Sequence, residues 1–142
     1  MRVVLDTNVV FSALIWRKGW TRKAWDLARE KQIDFITSQI LFDELVDLLT
    51  RPKTEKILKK VELTAEMIIE GFRQSVIIVE SATIPRIVDD PDDDHVLACA
   101  VGGNADFIVT GDDDLLRLEI FQNIPIITVS AWFDQLNIEE SS

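Results

Sequence analysis

Short runs of β-branched and aliphatic residues alternate along this chain with segments whose apolar positions recur at about the 3.6-residue helical period. That alternation is the mark of a parallel α/β sheet. The runs predict strands at Arg2–Asp6, Ile33–Thr37, Val76–Val79, Phe107–Thr110 and Ile126–Val129. Their residues are apolar on both faces, as expected of strands covered by helices on each side. The amphipathic segments predict helices over Thr21–Lys31, Ser38–Leu49, Lys53–Lys60, Thr64–Gln74, Asp93–Val101, Asp113–Leu118 and Ser130–Leu136. Ser38, Thr64 and Ser130 each offer an oxygen to an orphan N–H of the first turn, and Gly102-Gly103 ends the helix after Val101. Pro85 and Pro91 bracket an acidic loop, and Pro125 precedes the last strand. The pattern gives no element to the apolar run Val9–Trp16, which Ser12 interrupts. The expected architecture is three-layered α/β, with a central parallel sheet of about five strands between helices. It forms one domain over residues 1–136, with a loose tail at 137–142.

Composition narrows the classes. Hydrophobic residues at 47% and charged residues at 28% exclude wholesale disorder. The single cysteine, Cys99, excludes an intrachain disulfide and any cysteine–histidine zinc spacing. Val9–Trp16 is far short of the ~20 residues that span a bilayer. An acid at Asp6 interrupts the stretch where a signal peptide needs apolar residues. The expectation is a soluble cytoplasmic protein with no membrane association.

Charge changes the picture more. The net charge is −10, yet residues 86–142 hold 13 acids against two bases, while residues 1–85 hold 12 acids and 13 bases. Eleven of the 15 bases fall between Arg17 and Lys60. One cluster is Arg17, Lys18, Arg22, Lys23, Arg29 and Lys31; the other is Arg51, Lys53, Lys56, Lys59 and Lys60. A protein that merely coats nucleic acid would be basic overall. An acidic one with a basic half can hold a polyanion if metal ions neutralise part of its acidic half.

Parallel sheets bind ligands outside the carboxyl ends of their strands. Asp6 ends the first strand, and Asp112 and Asp114 follow the strand ending at Thr110. An Asp at such a turn is also a common helix cap. Glu44 is harder to explain structurally. On a helical wheel it lies at about 40° from Ile40, inside the arc of Ile40, Leu48, Leu41, Leu45 and Leu49. A buried carboxylate needs a cation, a partner or a cleft. In the run Asp89-Asp90-Pro91-Asp92-Asp93-Asp94, Asp93 is central to the apolar face of its helix, and Asp94 lies at about 100° on the margin. A calcium EF-hand is excluded, because a loop starting at Asp90 places His95 where Gly belongs and Val101 where Glu belongs. His95, the only histidine, is expected to face solvent. Hard oxygen donors without a His or Cys cluster suit Mg²⁺ or Mn²⁺.

Together these motifs resemble those of the PIN-domain family, over about residues 2–130. Asp6-Thr7-Asn8 is similar to the family's opening motif, and Glu44 stands in the helix that carries its glutamate. Asp93 with Val96-Leu97-Ala98-Cys99-Ala100 resembles the third-acid helix, and Thr110-Gly111-Asp112-Asp113-Asp114-Leu115 the closing Thr-x-Asp-x-Asp element. The crowding of Asp92, Asp93 and Asp94 leaves Asp94 as a register alternative to Asp93. The resemblance implies a metal-dependent ribonuclease, the toxin of a VapC-like toxin–antitoxin pair, working as a homodimer with a cognate antitoxin. It implies catalysis by Asp6, Glu44, Asp93 and Asp112, which with Asp114 would bind Mg²⁺ or Mn²⁺. Thr7, Asn8, Ser38 and Thr110 would support them or cap helices locally. Arg17, Lys18, Arg22, Lys23, Arg51 and Lys53 would hold the RNA backbone, with Trp16 or Trp20 as stacking surfaces. Two alternatives remain at this point. One is a non-catalytic PIN fold that binds RNA or a partner protein. The other is a haloacid-dehalogenase-like phosphatase, which wants a second Asp where Asn8 stands.

Overall fold

The computed structural model describes residues 1–141, with side chains through Ile138. The elements run β1 (Arg2–Leu5), α1 (Thr7–Ile15), α2 (Trp20–Glu30), β2 (Asp34–Thr37), α3 (Gln39–Leu49), α4 (Pro52–Lys60) and α5 (Ala65–Ser75). Then follow β3 (Val76–Ile78), α6 (Pro91–Gly102), β4 (Phe107–Val109), α7 (Asp113–Leu116), β5 (Ile120–Phe121), β6 (Ile124–Ile127) and α8 (Val129–Ser141). The six strands form a sheet in the order β3-β2-β1-β4-β6-β5, parallel except for the β5–β6 hairpin.

Strand alternation sends residues to two apolar layers. Val3, Leu5, Phe35 and Val109 meet Val9, Trp25, Phe42 and Trp132 on one face. Val4, Ile36 and Ile108 meet Leu97, Ala100 and Leu115 on the other. The three-layer architecture follows from burying both faces of so apolar a sheet. The edge strand β3 departs from that rule, since Ile77 and Ile78 are exposed.

Two elements escape the sequence pattern. The run at Val9 is helix α1, with Val9, Val10, Ala13 and Ile15 buried and Phe11 and Leu14 half-covered. A helix apolar on most of its surface has no polar face to mark its period. Strand β5 is two residues long, joined to β6 through Gln122 and Asn123 at φ of 47° and 68°. That is the left-handed two-residue turn that matches strand twist, made here without glycine. Pro125 accordingly lies inside β6, opposite Ile120, rather than before the strand. The last helix continues past Leu136, through residues read as tail, to Ser141.

The segment between β3 and α6 has no regular structure, but it is pinned to α6. Ala82 N–H donates to Ala98 O at 3.0 Å, and Gly102 leaves room for the backbone passing above it. A Cβ on Gly102 would collide with Glu80 O and meet Ala82 N at 2.7 Å. Backbone on both sides has little freedom to retreat. Gly102→Ala is therefore expected to destabilise the fold by about 1–3 kcal/mol in urea denaturation, as overpacking does. An unchanged midpoint would show that the 80–82 segment is not held against α6.

Candidate functional site

The sheet order reverses between β1 and β4: β2 and β3 extend to one side, β6 and β5 to the other. At such a switch point the loops leave in opposite directions and open a crevice at the carboxyl ends. Asp6 follows β1 and Asp112 follows β4, with Asp6 N–H donating to Val109 O at 3.0 Å. Helix α3 brings Glu44 to the same crevice, and the first turn of α6 brings Asp92 and Asp93. The resulting cleft measures ≈ 560 Å³ and is lined by Asp6, Thr7, Asn8, Ile40, Asp43, Glu44, Asp47, Leu48, Arg51, Asp90, Asp92, Asp93 and Asp112. Arg51 is its one base, and it pairs with Asp47 at 2.8 Å.

Thr110 organises the centre. Its Oγ1 donates to Asp6 Oδ2 at 2.7 Å and accepts from Asp112 N–H at 3.0 Å. Asp6 is 8% exposed. Burial raises its pKa above 3.8 and Asp112 adds to the rise, while Thr110 and the backbone amides of Thr7 and Asn8 oppose it. Asp112 caps α7, its Oδ1 accepting from Asp114 N–H at 2.8 Å and Leu115 N–H at 3.3 Å. Asp114 pairs with Arg117 at 2.8 Å, yet carboxylate oxygens of Asp93, Asp112 and Asp114 lie within 4.8 Å of one another.

The acidic run divides its labour. Asp90 caps α6 through Asp92 N–H at 3.0 Å. Asp94 turns away from the cleft, accepting from Val88 N–H at 3.1 Å and Ile87 N–H at 3.2 Å. Asp93 alone of the run is buried. It is 6% exposed, and its Oδ2 is one of two buried side-chain atoms without a hydrogen-bond partner among the described residues. Desolvation first, then Asp112, Asp90, Asp6 and Asp114, push its pKa up to about 7. A buried, unpartnered carboxylate oxygen among other acids is what a hard divalent cation would satisfy, and the all-oxygen donors fit Mg²⁺ or Mn²⁺.

Glu44 stands on the cleft-facing side of α3, between exposed Ile40 and half-buried Leu48 and beside the buried face of Leu41 and Leu45. It meets His95, whose Nδ1 lies 2.7 Å from Glu44 Oε1 and 3.8 Å from Asp92 Oδ1. Burial raises the Glu44 pKa, the His95 hydrogen bond lowers it, and Asp92 raises it again. His95 is thus half-buried and turned toward Glu44 rather than free in solvent. The wheel of α6 measures direction from the core and is blind to α3, which packs along the flank where His95 emerges. A basic residue three positions from an acid, opposite a helix with a misplaced glutamate, was the available signal.

Other expected residues lie elsewhere. Ser38 is buried and caps α3, accepting from Leu41 N–H at 3.3 Å, and its side chain bonds the Cys99 thiol, which burial pushes up to about 12. Arg17 and Arg22 line a groove with Leu14, Leu63, Met67 and Ile68, and Lys18 lines its continuation beside Trp16. Lys23 sits 4.5 Å from the Trp20 ring, and that ring meets Phe133 edge-on. Of the six bases expected to hold RNA, only Arg51 lines the acidic cleft; Lys53 begins α4 beside it in sequence.

The Asp93 shift sets a pH dependence. Its folded pKa of about 7 lies above the unfolded 3.8, so the folded chain holds the extra proton between those values. The stability this provides is full below about pH 4 and lost as pH rises through about 7. Metal-free melting temperature should therefore fall across this range, and Asp93→Asn should flatten the fall. Mg²⁺ or Mn²⁺ should raise it more at about pH 8 than at about pH 5.5, because the ligand must first lose its proton. An identical pH slope in Asp93→Asn would assign the titration to another group.

Comparison with known proteins agrees with this topology. The chain is 34% identical over 118 residues to the uncharacterized protein MJ1680 of Methanocaldococcus jannaschii, covering 83% of this chain and 75% of that protein. Its fold is similar to a chain of VapBC2 from Rickettsia felis, crystallised bound to a DNA fragment from their promoter. The TM-score is 0.64 at 16% identity, over 90% of this chain and 98% of that one. The PIN domain family model matches residues 2–114, four strands of the sheet and every acid of the cleft, and the chain belongs to the PIN-domain family.

Proposed function

We propose that this protein is a divalent-metal-dependent endoribonuclease, the toxin of a toxin–antitoxin pair. The observation that carries the reading is the buried, unpartnered Asp93 Oδ2 among Asp6, Asp112 and Asp114 at the sheet's switch point. Family membership and a fold like that of the VapBC2 chain support it. On this reading Asp6, Glu44, Asp93 and Asp112, with Asp114, would hold Mg²⁺ or Mn²⁺. A divalent ion there supplies Lewis acidity to the scissile phosphate, a more acidic water and charge for the leaving oxygen. The chain's residues do the positioning. Thr110 holds the Asp6 carboxylate in one orientation and, through Asp112 N–H, ties the two strand ends together. Asp94 is outside the ligand set, because its carboxylate is engaged by the amides of Ile87 and Val88. Arg51, the cleft's base, would leave Asp47 to meet a backbone phosphate as the strand enters.

RNA is approached through the bases at Arg17, Lys18, Arg22, Lys23, Arg51 and Lys53. The partners on this reading are a cognate antitoxin protein and a second copy of the chain. The basic groove at Arg17 and Lys18 shares no lining residue with the acidic cleft, so on this reading attraction and phosphate chemistry reside in different residues.

Cleavage of RNA should require Mg²⁺ or Mn²⁺ and fall to background in Asp6→Asn, while Asp6→Asn still binds RNA. Binding without cleavage by the wild type in either metal would turn the reading toward a binding module. Replacing Lys53, Lys56, Lys59 and Lys60 by Ala should weaken RNA binding and leave metal binding intact. The slope of log K against log salt should become shallower by about 0.7 for each phosphate of a single strand that is no longer neutralised. A wild-type salt slope together with weakened partner binding would assign that face to a protein.

A further inference from the structure

Two donor groups of different chemistry border the cleft, one through Asp93 and Asp112, the other through Glu44 and Asp92. Asp93, Asp112 and Asp114 offer oxygen alone. Glu44, Asp92 and His95 offer two carboxylates and an imidazole nitrogen, with one donor atom from each lying within 4.8 Å of the others. We propose that Glu44, Asp92 and His95 form a second cation site, selective for a borderline transition metal such as Mn²⁺, Co²⁺ or Zn²⁺ over Mg²⁺. The inference deepens the metal-dependent reading above by assigning it a further site and a metal class.

The geometry is already close. Bonds of about 2.0–2.2 Å to N and O place neighbouring donors of one ion roughly 3–4 Å apart. His95 Nδ1 stands 2.7 Å from Glu44 Oε1 and 3.8 Å from Asp92 Oδ1, so small side-chain rotations suffice. Asp92, in the first turn of α6, and His95, three residues on, share a face, and Glu44 comes from α3, which packs against α6. The donors therefore sit on two helices held by the core rather than on a loop. Glu44 and His95 are half-buried and Asp92 is exposed, which leaves the remaining coordination positions open to water.

Charge argues the same way. Two carboxylates face one imidazole, and even a protonated ring would leave a net negative charge in a cleft lined by eight acids and Arg51. Asp92 and Glu44 repel each other. An independent sign that this cleft takes cations is Asp93 Oδ2, more than nine-tenths buried and unpartnered among the described residues, on the wall it shares with Glu44 and Asp92. Mg²⁺ favours oxygen and keeps its waters, whereas imidazole favours the later divalent ions.

The sequence supplies a clean readout, because His95 is the chain's only histidine. Pulsed electron paramagnetic resonance on the tag-free, full-length protein loaded with Mn²⁺ should show coupling to an imidazole nitrogen. His95→Ala should abolish that coupling and bind one fewer Mn²⁺ per chain in calorimetric titration, with Mg²⁺ binding unchanged. Asp92→Asn, an exposed substitution that spares the core, should keep the coupling but weaken Mn²⁺ at this site by about tenfold or more. Mn²⁺ binding without nitrogen coupling, or the same stoichiometry in His95→Ala, would overturn the second site and leave the nuclease reading standing. Failure of the wild type to bind Mn²⁺ or Mg²⁺ at all would overturn both.

Discussion

Carboxylates gathered at the rim of an apolar sheet repel one another and are poorly solvated, and the arrangement of this protein's cleft is a response to that. Asp6 and Asp93 are almost fully removed from water, with Asp112 close to both. Thr110 offsets part of the penalty by donating to Asp6, and the same hydroxyl accepts from the Asp112 backbone. One side chain thus fixes the separation of the two strand ends across the switch point. Asp93 receives no such help, and burial with the neighbouring acids pushes its pKa up to about 7.

The crowding also explains why so many other acids are tied to the backbone. Asp90, Asp94 and Asp112 each accept from main-chain N–H groups. Those bonds satisfy main-chain donors that would otherwise be unpaired and favour the local turn. A run of five aspartates around Pro91 therefore acts as three devices: a helix cap, a clamp on residues 87 and 88, and an inward ligand. Of the three, only the last is buried and without a hydrogen-bond partner for one oxygen. Asp92 and His95 leave the helix on its other flank, toward Glu44.

The bases are distributed by a different constraint. Arg17, Lys18 and Arg22 border an apolar groove between α1, α2 and the α4–α5 turn, whereas Arg51 stands at the acid cleft. Salt attenuates attraction between exposed charges beyond about 8–10 Å. Arg22 is paired with Asp26 at 2.9 Å, whereas Arg51 faces the acids of the cleft through Asp47.

The sequence by itself determined the layers and the segments that carry the inward acids. Strands apolar on both faces demand helices on both sides, and Glu44 and Asp93 stand on apolar arcs that a wheel reveals, because burial there is set by each helix's own period. Asp6, Asp112 and Thr110 follow from strand ends in the same way. Helix α1 and strand β5 were hidden, one because it is apolar on most of its surface, the other because two residues carry no period. Only the tertiary structure decided that β1 and β4 are neighbours, which makes their ends one crevice. It alone separated Asp93 from Asp94, since the clamp on Asp94 comes from the loop before the helix. It alone brought His95 to Glu44, 51 residues away. Those pairings depend on which helix flanks which, and a one-dimensional period carries direction from the core but nothing about neighbours.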